Sequence, residues 1–131
     1  MHIAIMAHDK KKELMTQFCI AYCGILSRHT LCAAGSLGKS VEDNTGLEIE
    51  MLFMPEHGGL QQVASKISYN EIDLLLLLRD PLTMKPGEPD EANLIRLCDV
   101  HSIPLATNIA TAEALIMALD RGDLDWRMLV K

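Results

Sequence analysis

Short apolar runs alternate with amphipathic stretches along the whole of this 131-residue chain. HIAIMA (His2 to Ala7) reads as a buried strand. From Lys10 to Leu26 the apolar residues Met15, Phe18, Cys19, Tyr22, Ile25 and Leu26 recur with the 3.6-residue period of a helix. Asp9 stands before that helix as a candidate N-cap. TLCAAG (Thr30 to Gly35) predicts a second strand, and SLGKSVEDNTG a turn and a short helix. LEIEMLF (Leu47 to Phe53) predicts a third strand, and Gly59 to Ile67 a short helix. IDLLLLL (Ile72 to Leu78) is apolar throughout, as a central strand of a parallel sheet must be. RDPLTMKPGEPD, with three prolines, is a loop. Glu91 to His101 predicts a helix, IPLAT (Ile103 to Thr107) a strand, and Ala110 to Arg121 a last helix.

This alternation predicts one three-layer α/β domain over residues 1–131, with five strands in a mostly parallel sheet. Ligands of such sheets bind beyond the carboxyl ends of the strands. The segments that follow those ends are AHDKKK, AAGSLG, MPEHGG, RDPLTMKPGEPD and TNIATAE, and together they form the candidate site.

Composition narrows the chemistry. The formal charge is −6 and no basic cluster interleaves with aromatic residues, so nucleic acid is not the expected partner. A small anion remains open, because backbone N–H groups and one lysine can outweigh net charge locally. MHIAIMAHDKKK has no charged segment ahead of its apolar run and reads as neither a signal peptide nor a membrane span. The four cysteines make no C-x-x-C and lie at no zinc-like spacing from histidine. They read as buried free thiols of a cytoplasmic protein, and no metal is expected.

Six blocks in register, AHDKKK, GGLQQ, RDPLT, EPD, IRLCDV and SIPLATN, make the chain resemble methylglyoxal synthase over nearly its whole length. The resemblance implies a flavodoxin-like fold and a homo-oligomer, hexamer first. It also implies conversion of dihydroxyacetone phosphate to methylglyoxal and phosphate without a cofactor. His8, Asp9 and Lys12 match the first site segment, with Lys12 facing a phosphate and His8 supplying a hydrogen bond. Other site loops depart from the pattern. Ala34 and Leu37 replace two hydroxyl residues of a phosphate loop in which Gly35, Ser36 and Gly38 are kept. Met54 and Pro55 replace Ser and Gly, and His57 is new. Leu60 stands where the family has the Asp regarded as its base, and Gly87 where it has the His thought to polarise the carbonyl. The carboxylates left as candidate bases are Asp9, Asp80 and Asp90.

Loss of a general base typically costs about 10²–10⁴-fold in rate. The first expectation is therefore a family member with little or no synthase activity. It would bind a small anionic ligand such as a phosphate, sugar phosphate or nucleotide, or act through protein contacts. An active, divergent synthase is the alternative, and a structural subunit without ligand is a third reading.

Overall fold

The computed structural model describes residues 1–82 and 91–130. Five strands, β1 (His2–Ala7), β2 (Thr30–Ala34), β3 (Ile49–Leu52), β4 (Leu74–Leu78) and β5 (Leu105–Ala106), form one sheet in the order β3-β2-β1-β4-β5. Every pairing is parallel. The helices are α1 (Lys12–Ala21), α2 (Cys23–Leu26), α3 (Gly35–Thr45), α4 (Gly59–Ser68), α5 (Ala92–His101) and α6 (Ile109–Arg121).

Alternate strand residues divide between two core clusters, as the period-2 geometry of a strand requires. Ile3, Ile5, Leu31, Ala33, Leu74 and Leu76 face α1, α3 and α6, which contribute Met15, Phe18, Leu37, Val41 and Ile116. Ala4, Met6, Cys32, Leu75 and Leu77 face α4 and α5, which contribute Val63, Ile67, Leu94 and Cys98. All five leucines of β4 are at most 1% exposed, so each contributes about 1.5–3 kcal/mol of burial. That is why β4 needs no polar face and sits between β1 and β5.

Several expected boundaries change. The helix expected over Lys10 to Leu26 is a 3-10 turn at Asp9–Lys11 followed by α1 and α2, with a break at Tyr22. Asp9 lies in the first turn of that 3-10 segment, and the residue that caps α1 is Lys11. The short helix after β2 is a full α3 of 11 residues that starts at Gly35, and β5 shortens to two residues. A 3-10 segment at Asp125–Leu129, which no apolar period marks, places Arg127 wholly inside the protein. Arg127 donates to Ser102 O at 2.8 Å and Asn70 Oδ1 at 3.1 Å, and its Nε lies 3.3 Å from Asp73 Oδ1. It thereby ties the C-terminal segment to the amino ends of the strands.

Candidate active site at the carboxyl ends of the strands

β1 and β4 run side by side with Ala7 opposite Leu78, so His8 and Arg79 leave the sheet together. The sheet's order reverses between these strands, which makes their carboxyl ends a switch point of the kind where α/β proteins bind ligands. The His8 N–H donates to Leu78 O at 2.9 Å. His8 is buried, and its Nδ1 accepts the Asp80 N–H at 2.9 Å. Its Nε2 meets Glu91 Oε1, also buried. Glu91 Oε2 in turn lies 4.0 Å from Arg79 Nε, a buried nitrogen with no hydrogen-bond partner among the described residues. Asp80 is buried, and its carboxylate accepts the Leu82 N–H at 3.3 Å, the geometry of a turn residue before Pro81.

Lys12, at the start of α1, links two of the expected loops. Its ammonium lies 3.1 Å from Asp9 Oδ1 and 3.1 Å from Ser36 Oγ. Ser36 belongs to the first turn of α3, where N–H groups lack partners within the helix and the helix dipole favours an anion. The residue capping α3 is Ala34, which has no side-chain oxygen to satisfy them. At α6, by contrast, Asn108 Oδ1 accepts the Thr111 N–H at 3.1 Å.

The two glycines of the β3–α4 loop have separate structural reasons. Gly58 has φ +105°, in the left-handed region. A Cβ on Gly59 would stand 2.2 Å from Phe53 O, which the fold does not allow. Met54 O accepts from both His57 N (2.9 Å) and Gly59 N (3.0 Å), so the Gly59 N–H closes the loop on itself. The Met54 side chain lies over Gly35, where an added Cβ would be 2.0 Å from its sulfur.

Asp9, Lys12 and Ser36 thus converge, Met54 covers the neighbouring Gly35, and the His8 ring meets Asp80 and Glu91. Leu37 points into the main core at 3% exposure, and Ala34 and Gly38 are buried beside it. Pro55 is half-buried and His57 exposed. Leu60, the second residue of α4, is half-buried and packs against the smaller core cluster. Gly87 and Asp90 lie outside the described residues. Glu91 and Arg79 join the site without any signal in sequence spacing. Glu91 reads in sequence as an ordinary acid at a helix start, and its partner His8 is 83 residues away. An open depression of about 470 Å³ lies at the other end of the sheet, between Thr30, Glu50, Lys66 and Glu71. Burial pushes the Cys19 thiol up to about 12 and those of Cys32 and Cys98 up to about 11, so these thiols are poor nucleophiles. No helix among the described residues is long and apolar enough to cross a membrane.

A five-stranded parallel sheet with helices on both faces, and an ammonium beside a helix start at its carboxyl ends, makes this a three-layer α/β protein. Comparison with known proteins makes this specific. A methylglyoxal synthase from Caldicellulosiruptor saccharolyticus is 62% identical over 99% of this chain and 92% of that protein. One from Listeria welshimeri is 54% identical over 98% of this chain and 96% of that protein. The crystal structure of methylglyoxal synthase from Elizabethkingia anophelis superposes with a TM-score of 0.84 at 35% identity, covering 88% of this chain and 76% of that one. No protein-family model matches. The chain belongs to the methylglyoxal synthase family.

Proposed function

We propose that this chain binds dihydroxyacetone phosphate and eliminates its phosphate to form methylglyoxal, with proton removal slowed by the leucine at position 60. The observation that carries the activity is 62% identity along nearly the full chain to a protein named methylglyoxal synthase. That name supports an active enzyme better than a silent one. Three steps make up the reaction. A base removes a proton from the hydroxymethyl carbon, and its electron pair forms an enediolate. The enediolate collapses and breaks the carbon–oxygen bond to phosphate. The resulting enol tautomerises to methylglyoxal. Lys12, the Ser36 hydroxyl and the first N–H groups of α3 hold the phosphate. Asp9, 3.1 Å from the Lys12 ammonium, is the base that remains beside it. The assembly belongs to the same proposal: a homo-oligomer, hexamer first, which light scattering would distinguish from a 14.5 kDa monomer.

A second reading is a ligand-binding protein with background turnover. It is favoured by Leu60, whose side chain packs on the core and cannot take a proton. Such a protein would bind a phosphate-bearing ligand with an apolar part, such as a nucleotide. Phosphate release from dihydroxyacetone phosphate tests both, run alongside calorimetry against sugar phosphates and nucleotides. Turnover above background that falls in Asp9→Asn supports the enzyme. Background turnover with calorimetric binding supports the second reading. Neither turnover nor binding leaves a structural subunit.

A further inference from the structure

The alternation of side chains carries past the ends of β1 and β4. Met6 and Leu77 face the smaller core cluster, and Ala7 and Leu78 the main one. His8 and Arg79 come next, and both backbones stay in the ladder: the His8 N–H donates to Leu78 O at 2.9 Å and the Arg79 N–H to Thr107 O at 3.1 Å. Their side chains therefore stand side by side on the face that α4 and α5 cover, which is also the face of Leu60. Glu91, the residue before α5, reaches both of them. Its Oε2 is 4.0 Å from Arg79 Nε, close enough for charge attraction and too far for a hydrogen bond. That Nε is buried and has no hydrogen-bond partner among the described residues, while the Arg79 side chain as a whole is 37% exposed. A cation with an N–H to spare at a switch point is suited to an oxygen of a ligand. Lys12 is a different case, because its ammonium already joins Asp9 to Ser36. It follows His8 by about 6–8 Å of helical rise, the length scale of a three-carbon phosphate ester.

We propose that Arg79 is a catalytic residue of the reaction proposed above, on which this role rests. As the base takes a proton from the hydroxymethyl carbon, the carbon–hydrogen electron pair becomes a carbon–carbon double bond. The carbonyl π pair moves onto oxygen. The Arg79 guanidinium donates hydrogen bonds to that oxyanion and gives up no proton, since a guanidinium stays charged. The phosphate remains on Lys12, Ser36 and the start of α3, so separate cations hold the two ends of the substrate. Charge on the oxygen is small in the substrate and full in the enediolate, so the contact lowers the barrier more than it tightens binding.

The test is Arg79→Gln in the full chain, measured by phosphate release from dihydroxyacetone phosphate and by calorimetry with two probes. One probe is inorganic phosphate. The other is phosphoglycolate, whose carboxylate places negative charge where the enediolate would carry it. Loss of an oxyanion donor should lower kcat by about 10²-fold, with KM within about 3-fold. Phosphoglycolate should bind about 10-fold or more weakly, and inorganic phosphate as before. Lys12→Ala, by contrast, should weaken both probes. A folded Arg79→Gln protein with unchanged kcat and unchanged phosphoglycolate binding would overturn the proposal. So would equal losses for the two probes, which would mark a disturbed phosphate site. Should Arg79→Gln fail to fold, Arg79→Lys takes its place: it keeps the charge and loses the forked donors, so phosphoglycolate alone should again weaken. An Arg79→Lys protein that binds phosphoglycolate as the unaltered one does would then overturn the proposal. Should the unaltered protein show no turnover, the proposed function fails. Phosphoglycolate binding that depends on Arg79 would still support the anion contact, and phosphoglycolate held no more tightly than phosphate would overturn it.

Discussion

Replacing Leu60 by Asp returns a carboxylate to the position where the family resemblance places the base. Leu60 is the second residue of α4 and is half-buried against the smaller core cluster. Full burial of a leucine is worth about 1.5–3 kcal/mol, so removing a half-buried one costs about 1 kcal/mol. An acid in the first turn of a helix recovers about 0.3–1 kcal/mol through the helix dipole. The variant should therefore fold, with a melting point at most a few degrees lower. The kinetic effect is far larger. A placed general base contributes about 10²–10⁴-fold, equivalent to about 2.7–5.5 kcal/mol of barrier. Steady-state phosphate release from dihydroxyacetone phosphate should rise by at least 10-fold and gain an acid limb as the new carboxylate titrates. Gly87→His added to the same variant should raise kcat further. A folded Leu60→Asp protein with unchanged or lower turnover would refute the reasoning. It would mean that proton removal is not the slow step, or that Met54 and Pro55 have displaced the substrate from residue 60.

Lys12→Ala removes the ammonium that joins Asp9 to Ser36; calorimetry should show phosphate-ligand binding weakened about 10-fold or more and less dependent on salt. Gly59→Ala places a methyl group against Phe53 O, a backbone atom that cannot step aside. It should cost about 1–3 kcal/mol in urea melts and loosen the β3–α4 loop. Arg127→Met leaves Asp73 buried without its cation, and a loss of about 3–5 kcal/mol is expected in thermal or urea unfolding.

The alternation of apolar runs with helical periods determined the fold class, because a strand buried on both faces and a helix buried on one leave different spacings. The run of leucines from Leu74 to Leu78 marks the central position of β4 by itself, since only a strand covered on both faces tolerates it. The candidate loops also followed from sequence, because strand ends in parallel sheets are where backbone groups remain free for ligands. Strand order did not follow. Either side of β1 can accept β4 as far as local pattern is concerned, and only packing of α1, α3 and α6 on one face against α4 and α5 on the other settles it. The inward course of Leu37, the self-closed loop at Gly59 and the burial of Arg127 were likewise decided in three dimensions. The clearest case is His8. In sequence it is a histidine just past a strand end, where a ligand contact is expected. In the fold Glu91 and the Asp80 N–H occupy both ring nitrogens, and those groups lie 83 and 72 residues away. Sequence spacing reports which residues share a helix or strand face, whereas a pairing between loops depends on how the whole sheet is wound.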